Sequence, residues 1–257
     1  MTGDKGGQVR LCRKGLHPMT PDNIGNDNRC RGCEAERHRQ YRADHPDYAK
    51  REAERIRRLR GRAFDHYGRS CACCGESRWQ FLTLDHTEGD GAAWRREQFG
   101  RNRATASMTY RRLRTLGYPP GFQTMCSSCN FGRHWNGGVC PHIDGGATYL
   151  AGREASRRVH LDWLLRLEMI AAYGGQCSCP GCKPEVLPML LAIDHIANDG
   201  ADHRRQLGSK TNAGGARVWR WLRDQGWPDT MQLMCFNCND GRHWNGGTCP
   251  HLDQQPA

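Results

Sequence analysis

The chain has 257 residues, with 38 Lys and Arg against 27 Asp and Glu, giving a formal net charge of +11. Its 19 Leu, 6 Ile, 5 Val and 6 Phe make up about 14% of the residues, below the roughly 20% that ordinary globular domains exceed. A large apolar core is therefore excluded, and about two domains are expected at this length.

The 15 Cys and 12 His offer another source of folding free energy, because ligands gathered on a metal contribute to it directly. No apolar run approaches the roughly 20 residues of a membrane helix; the longest, Leu187 to Ile193, is far too short. The opening residues carry no apolar stretch of the secretory kind, so a cytoplasmic chain with reduced thiols is expected. In that setting paired cysteines read as metal ligands rather than disulfides. The positive balance points to a polyanionic partner, nucleic acid before membrane.

In chain order, Cys12, His17, Cys30 and Cys33 form C-x4-H-x12-C-x2-C, a four-ligand zinc pattern. Pro18 to Asn28 is rich in turn formers and reads as loop. Beyond it, Arg51, Arg55, Arg57, Arg58, Arg60 and Arg62 crowd one predicted helix. Its apolar positions, Tyr48, Ile56 and Leu59, are too few for a buried helix, so phosphate contact is favoured over a merely solvated face. Residues 1–62 form this zinc-binding leader and basic helix.

Residues 63–147 form a first module. Cys71 and Cys74, with Cys126 and Cys129, are two Cys-x-x-Cys knuckles, a spacing that closes a structural tetrahedral zinc site. Cys73, Cys140 and His142 stand outside it, as ligands of a second metal or as spectators. Phe81 to Leu84 alternates as a half-buried strand leading into Asp85-His86, and Glu88 to Gly91 supplies a turn. Strand alternation sends neighbouring side chains to opposite faces, so Asp85 and His86 can converge only where a strand ends. Asn130 follows the last knuckle cysteine, as a helix cap or as part of a site. His86 alone would read as a hydrogen-bonded structural histidine.

The heptapeptide GRHWNGG occurs at 132–138 and again at 241–247, an offset of 109 residues. The same offset carries Asp85-His86 onto Asp194-His195, Cys126, Cys129 and Asn130 onto Cys235, Cys238 and Asn239, and Cys140/His142 onto Cys249/His251. A repeat held in one register this long marks a duplicated module. Residues 170–257 form the second copy. Within it, Cys179-x-x-Cys182 has the knuckle spacing and is taken as the ligand pair, although the alignment of Tyr67 with Tyr173 equates Cys71 with Cys177. Residues 148–169 read as a linking helix, with Val159, Trp163, Leu167 and Ile170 at helical spacing before Gly174-Gly175. The joint recurrence of Asp-His and the post-knuckle Asn favours chemistry over separate structural roles.

This set of residues resembles the HNH nucleases of the ββα-metal fold, closest to the zinc-containing, endonuclease VII-like branch found among phage proteins. The stretch from Asp194 through Trp219–Trp227 and the Cys235/Cys238 knuckle to His251 carries the likeness, as does the N-terminal Cys12 to Cys33 leader. The resemblance implies an α+β chain of two tandem HNH modules joined by a helix, acting as a DNA endonuclease. It implies that His86 and His195 are general bases. It further implies that Asp85 with Asn130, and Asp194 with Asn239, each hold one hydrated divalent cation, magnesium above all, which stabilises the phosphate and the leaving 3′ oxygen.

About three structural zinc ions are expected, and a monomer, since the module is already duplicated. Each copy departs from the family in a long insertion containing Tyr110 to Arg114 or Trp219 to Arg223, whose aromatics either stack on bases or face a core. His203 has no counterpart, Trp94 standing in its place. If His203 assists, the second module is the better catalyst. His134 and His243 follow the Asn, as candidates for the metal or the phosphate or as exposed helix residues. The alternative function is a zinc-stabilised, regulatory nucleic-acid-binding protein whose modules are idle.

Overall fold

The computed structural model describes residues 9–25, 28–100, 104–154, 156–182, 186–200, 203 and 215–254. The chain is mixed α and β with small two-stranded sheets, and it divides into a unit at residues 1–59 and a unit at residues 60–257.

The first unit has almost no regular sheet. Single bridges join Leu11 to Pro18 and Ile24 to Cys30, and the Cys12 N–H donates to the His17 carbonyl at 2.8 Å. Cys30 caps helix α1 (Arg31–Asp44) by accepting from the Cys33 N–H, and α1 buries no residue. With so little packed surface, the Cys/His quartet, which could hold a metal ion, is the candidate source of cohesion here. Gly32 is required beside it, because a Cβ there would meet the His17 ring at 2.7 Å.

Helix α2 (Tyr48–Tyr67) contains the predicted basic segment. Its C-terminal part corrects the expectation of a helix with too few apolar positions to be buried: Leu59, Arg60, Ala63 and Phe64 are all buried. The reason is chemical. The Arg60 guanidinium donates to the Leu82 carbonyl and lies 4.2 Å from the Trp244 ring centre, so its charge is met by π faces and a carbonyl instead of water.

In the second unit, β1 (Leu82–His86) is followed by α3 (Gly91–Phe99), α4 (Ala106–Thr115) and β2 (Phe122–Cys126). Strands β1 and β2 pair antiparallel, with Leu82 opposite Cys126 and Asp85 opposite Gln123. Helix α5 (Ser127–Trp135) starts at the end of β2, and α6 (Pro141–Asp144) and α7 (Ala147–Glu154) follow. The single linking helix expected over 148–169 is instead two helices, α7 and α8 (Arg157–Ala172), the second capped by Ser156.

The order then repeats as β3 (Leu191–His195), α9 (Ala216–Asp224), β4 (Met231–Cys235) and α10 (Phe236–Trp244). The β3–β4 register places Leu191 opposite Cys235 and Asp194 opposite Gln232, each the 109-shifted counterpart of the β1–β2 pair. Helix α8 packs into the second half through Met169 and Ile170. Arg166 donates to the Leu191 carbonyl at 2.7 Å and lies 5.3 Å from the Trp135 ring centre, mirroring Arg60 on Leu82 and Trp244. Tyr173 bonds the Pro228 carbonyl at 3.1 Å as Tyr67 bonds Pro119 at 2.7 Å.

The halves meet through α5 and α10 by reciprocal contacts, in the manner of an isologous dimer interface within one chain. The Ser128 N–H donates to Asn237 Oδ1 at 2.8 Å, and the Asn237 N–H donates to Ser128 Oγ at 3.2 Å. Gly132 faces Leu190 and Gly241 faces Phe81, so close that a Cβ would lie 2.8 Å and 2.4 Å from them. Phe81 and Leu190 are themselves fully buried. A Gly241→Ala variant should therefore lose about 1–3 kcal/mol through overpacking. Thermal unfolding measures it, and an unchanged midpoint would contradict the contact.

Candidate functional site

Asp85 and His86 end β1, and Asp194 and His195 end β3. A tight turn follows each pair: the Gly89 N–H bonds the His86 carbonyl at 3.0 Å and the Asn198 N–H bonds the His195 carbonyl at 3.0 Å. Gly89 and Asn198 sit at the same place in the repeat, and both adopt positive φ, 70° and 59°. Glycine tolerates that region freely and asparagine better than most residues.

Each Asp is held by two donors. Asp85 Oδ2 accepts from Gln123 at 3.3 Å and from Arg133; Asp194 Oδ2 accepts from Gln232 at 3.1 Å and from Arg242. Among the described residues no protein donor reaches Oδ1 of either. Arg133 is further anchored through Nε to the Gly138 carbonyl at 2.8 Å, and Arg242 to the Gly247 carbonyl at 2.9 Å. These arginines were missed by sequence reasoning. Their signal lay in GRHWNGG, where the paired glycines take positive φ and turn the chain back onto the arginine that precedes them.

Asn130 does not cap its helix. Cys126 does, its Sγ accepting the Cys129 N–H at 3.4 Å. Asn130 instead donates its amide to the Leu84 carbonyl at 3.4 Å, tying helix to strand and leaving its amide oxygen without a protein donor among the described residues.

In the second half Asp194, His195, Asn239, His203, Arg242 and His243 all line one cleft of about 900 Å³. His195 Nε2 lies 2.7 Å from His203 Nδ1, so one ring donates to the other. The first half differs here. Trp94 replaces His203, its ring centre 5.4 Å from that of His86, and Phe122 lies 4.4 Å away. His86 Nε2 is buried and has no hydrogen-bond partner among the described residues. His134 and His243 are exposed.

The Cys and His residues assemble into groups that could hold metal ions. Cys12, His17, Cys30 and Cys33 form one, and Cys71, Cys74, Cys126 and Cys129 another, as expected. In the second half Cys177, not Cys179, completes the quartet with Cys182, Cys235 and Cys238. The Cys235 N–H donates to Cys177 Sγ at 3.3 Å. Inserted Pro180-Gly181 lengthens the turn to Cys182, so the ideal spacing in sequence was not the pairing in space. Cys179 gathers with Cys238, Cys249 and His251, and in the first half Cys73 gathers with Cys129, Cys140 and His142.

Thiols this crowded cannot all ionise without a cation. The Cys129 thiol holds Cys140 down to about 4, whereas burial pushes Cys73 up to about 12. Burial likewise pushes Cys179 up to about 11.

In the insertions Tyr110, Leu113, Val218 and Leu222 are buried, and Trp219 stacks near Arg166 at 5.5 Å, so these residues face the core. Compared with protein-family models, with curated proteins and with solved structures, the chain matches none.

Burial lowers the pKa of His86 below its usual value, against the opposing pull of Asp90 and Asp85. Below about 6.5 an unfolded imidazole takes a proton that the folded one resists, so this group's contribution to stability is complete above that pH and is lost as the pH falls. NMR titration of His86 should give a midpoint under 6.5, and a midpoint above it would show that the carboxylates outweigh burial.

Proposed function

We propose that the chain is a metal-dependent DNA endonuclease of the HNH kind, with its principal site in the second half. The observation that carries this reading is the convergence of Asp194, His195 and Asn239 on one open cleft, repeated in residue type by Asp85, His86 and Asn130.

The donor set fits a hard divalent cation such as magnesium: a carboxylate oxygen without a protein donor beside a carboxamide. Asp194 and Asn239 would hold that ion, which supplies charge stabilisation at the scissile phosphate and at the leaving oxygen. His195, in its neutral form, takes a proton from the attacking water. The hydroxyl then bonds to phosphorus as the bond to the 3′ oxygen breaks. His203 orients the His195 ring through the bond between their nitrogens. Arg242 fixes the carboxylate through Oδ2, so Oδ1 is aimed without rotational freedom. The net charge of +11 suits a phosphate backbone as partner.

With supercoiled plasmid and magnesium, the His86→Ala, His195→Ala double variant should lose about 10²-fold or more in cutting rate, with zinc content and salt-dependent DNA binding retained. The single His195→Ala change should cost more than His86→Ala, because His86 is packed under aromatic rings. Undiminished cutting by the double variant would overturn the assignment. DNA binding by wild type with no cutting under any divalent cation would favour the idle, regulatory reading. Arg242→Gln should slow cutting by about 10- to 100-fold at unchanged zinc content, and a wild-type rate would remove Arg242 from the site.

A further inference from the structure

Each half brings together seven ligand atoms in two overlapping quartets, and one cysteine belongs to both: Cys129 in the first half, Cys238 in the second. Two separate tetrahedral zinc sites need eight corners, so seven ligands suffice only when one corner is shared. We propose that each half binds a pair of zinc ions bridged by the Cys129 or Cys238 thiolate, with Cys73/Cys140/His142 and Cys179/Cys249/His251 completing the outer ions.

The spacing suits this arrangement. Zinc–ligand bonds of about 2.3 Å to sulfur and 2.0 Å to nitrogen place tetrahedral neighbours roughly 3.5–3.8 Å apart. Cys74 to Cys126 and Cys182 to Cys235 are each 3.7 Å on the inner quartets. On the outer ones, His142 Nδ1 lies 3.2 Å from Cys129 and 3.6 Å from Cys140. His251 Nδ1 lies 3.3 Å from Cys238, 3.6 Å from Cys249 and 3.8 Å from Cys179. Cys129 and Cys238 are completely buried, and a buried thiolate needs cationic neighbours.

The repeat gives independent support. The first half reads Cys-x-Cys-Cys at 71–74 and the second Cys-x-Cys-x-x-Cys at 177–182, yet all seven ligands take the same roles. Gly181 clears the approach, since a Cβ there would lie 2.6 Å from His251 Cβ. Mechanically, the outer ion of the first half ties the chain at Cys140 back to the knuckle, just beyond the loop whose Gly138 carbonyl holds Arg133 on Asp85.

The full chain should then carry five zinc ions, two bridged pairs and the one of the leader quartet. Elemental analysis of the purified protein counts them. In protein substituted with cadmium-113, the β protons of Cys129 and Cys238 should each correlate with two cadmium resonances, and those of the other cysteine ligands with one. Five ions with doubled correlations at these two residues bears the proposal out. Three ions per chain, or a single cadmium partner for Cys129 and Cys238, overturns it.

Discussion

Crowding of thiols sets the terms for this fold. Cysteine sulfurs from the turn before β1, the end of β2, the start of α5 and the segment before α6 meet within a few ångströms, and the same happens in the second half. Left as thiols they form a poor apolar core; ionised without a cation they repel. A metal ion resolves both problems, because each thiolate becomes a bond and the binding free energy becomes folding free energy. The buried apolar residues gather on these same cysteines, Phe64, Leu82 and Met125 in the first half and Leu191, Leu222, Leu233 and Met234 in the second.

From that anchoring the site follows by short steps. Cys126 and Cys235 end β2 and β4 opposite Leu82 and Leu191, and cap α5 and α10. Capping by a cysteine places the next asparagine inside the first turn, where Asn130 reaches the strand at Leu84. The helix then projects Arg133 or Arg242 onto the aspartate at the strand end. The two halves differ around the histidine: His195 shares a cleft with His203, whereas His86 packs against Phe122 and Trp94. The scaffold is the same in both halves while the surroundings of the two imidazoles differ.

Much of this was legible in the sequence, because ligands and duplications leave letter-by-letter traces. The quartets of the leader and first half, the strand ends at Asp85 and Asp194, and the helix over Val159 to Ile170 are all readable from spacing. What was not legible came from charges that act as core. Arg60 and Arg166 look like solvated residues by type, but neighbouring aromatic rings and the Leu82 and Leu191 carbonyls take the place of water around them. Arg133 and Arg242 were hidden inside a motif that served only to mark the repeat. Cys177 lost to Cys179 on spacing because a two-residue insertion changes the sequence distance without changing the sulfur's position.

We infer that ion-bound thiolate clusters, with the apolar residues packed on them, hold the aspartate, histidine and asparagine together. Hydrogen exchange on the full chain before and after complete zinc removal by a chelator tests it directly. Amides of Leu82–His86 and Leu191–His195 should lose protection together with the knuckles on chelation. Protection of those strands that survives the loss of all bound metal would contradict it.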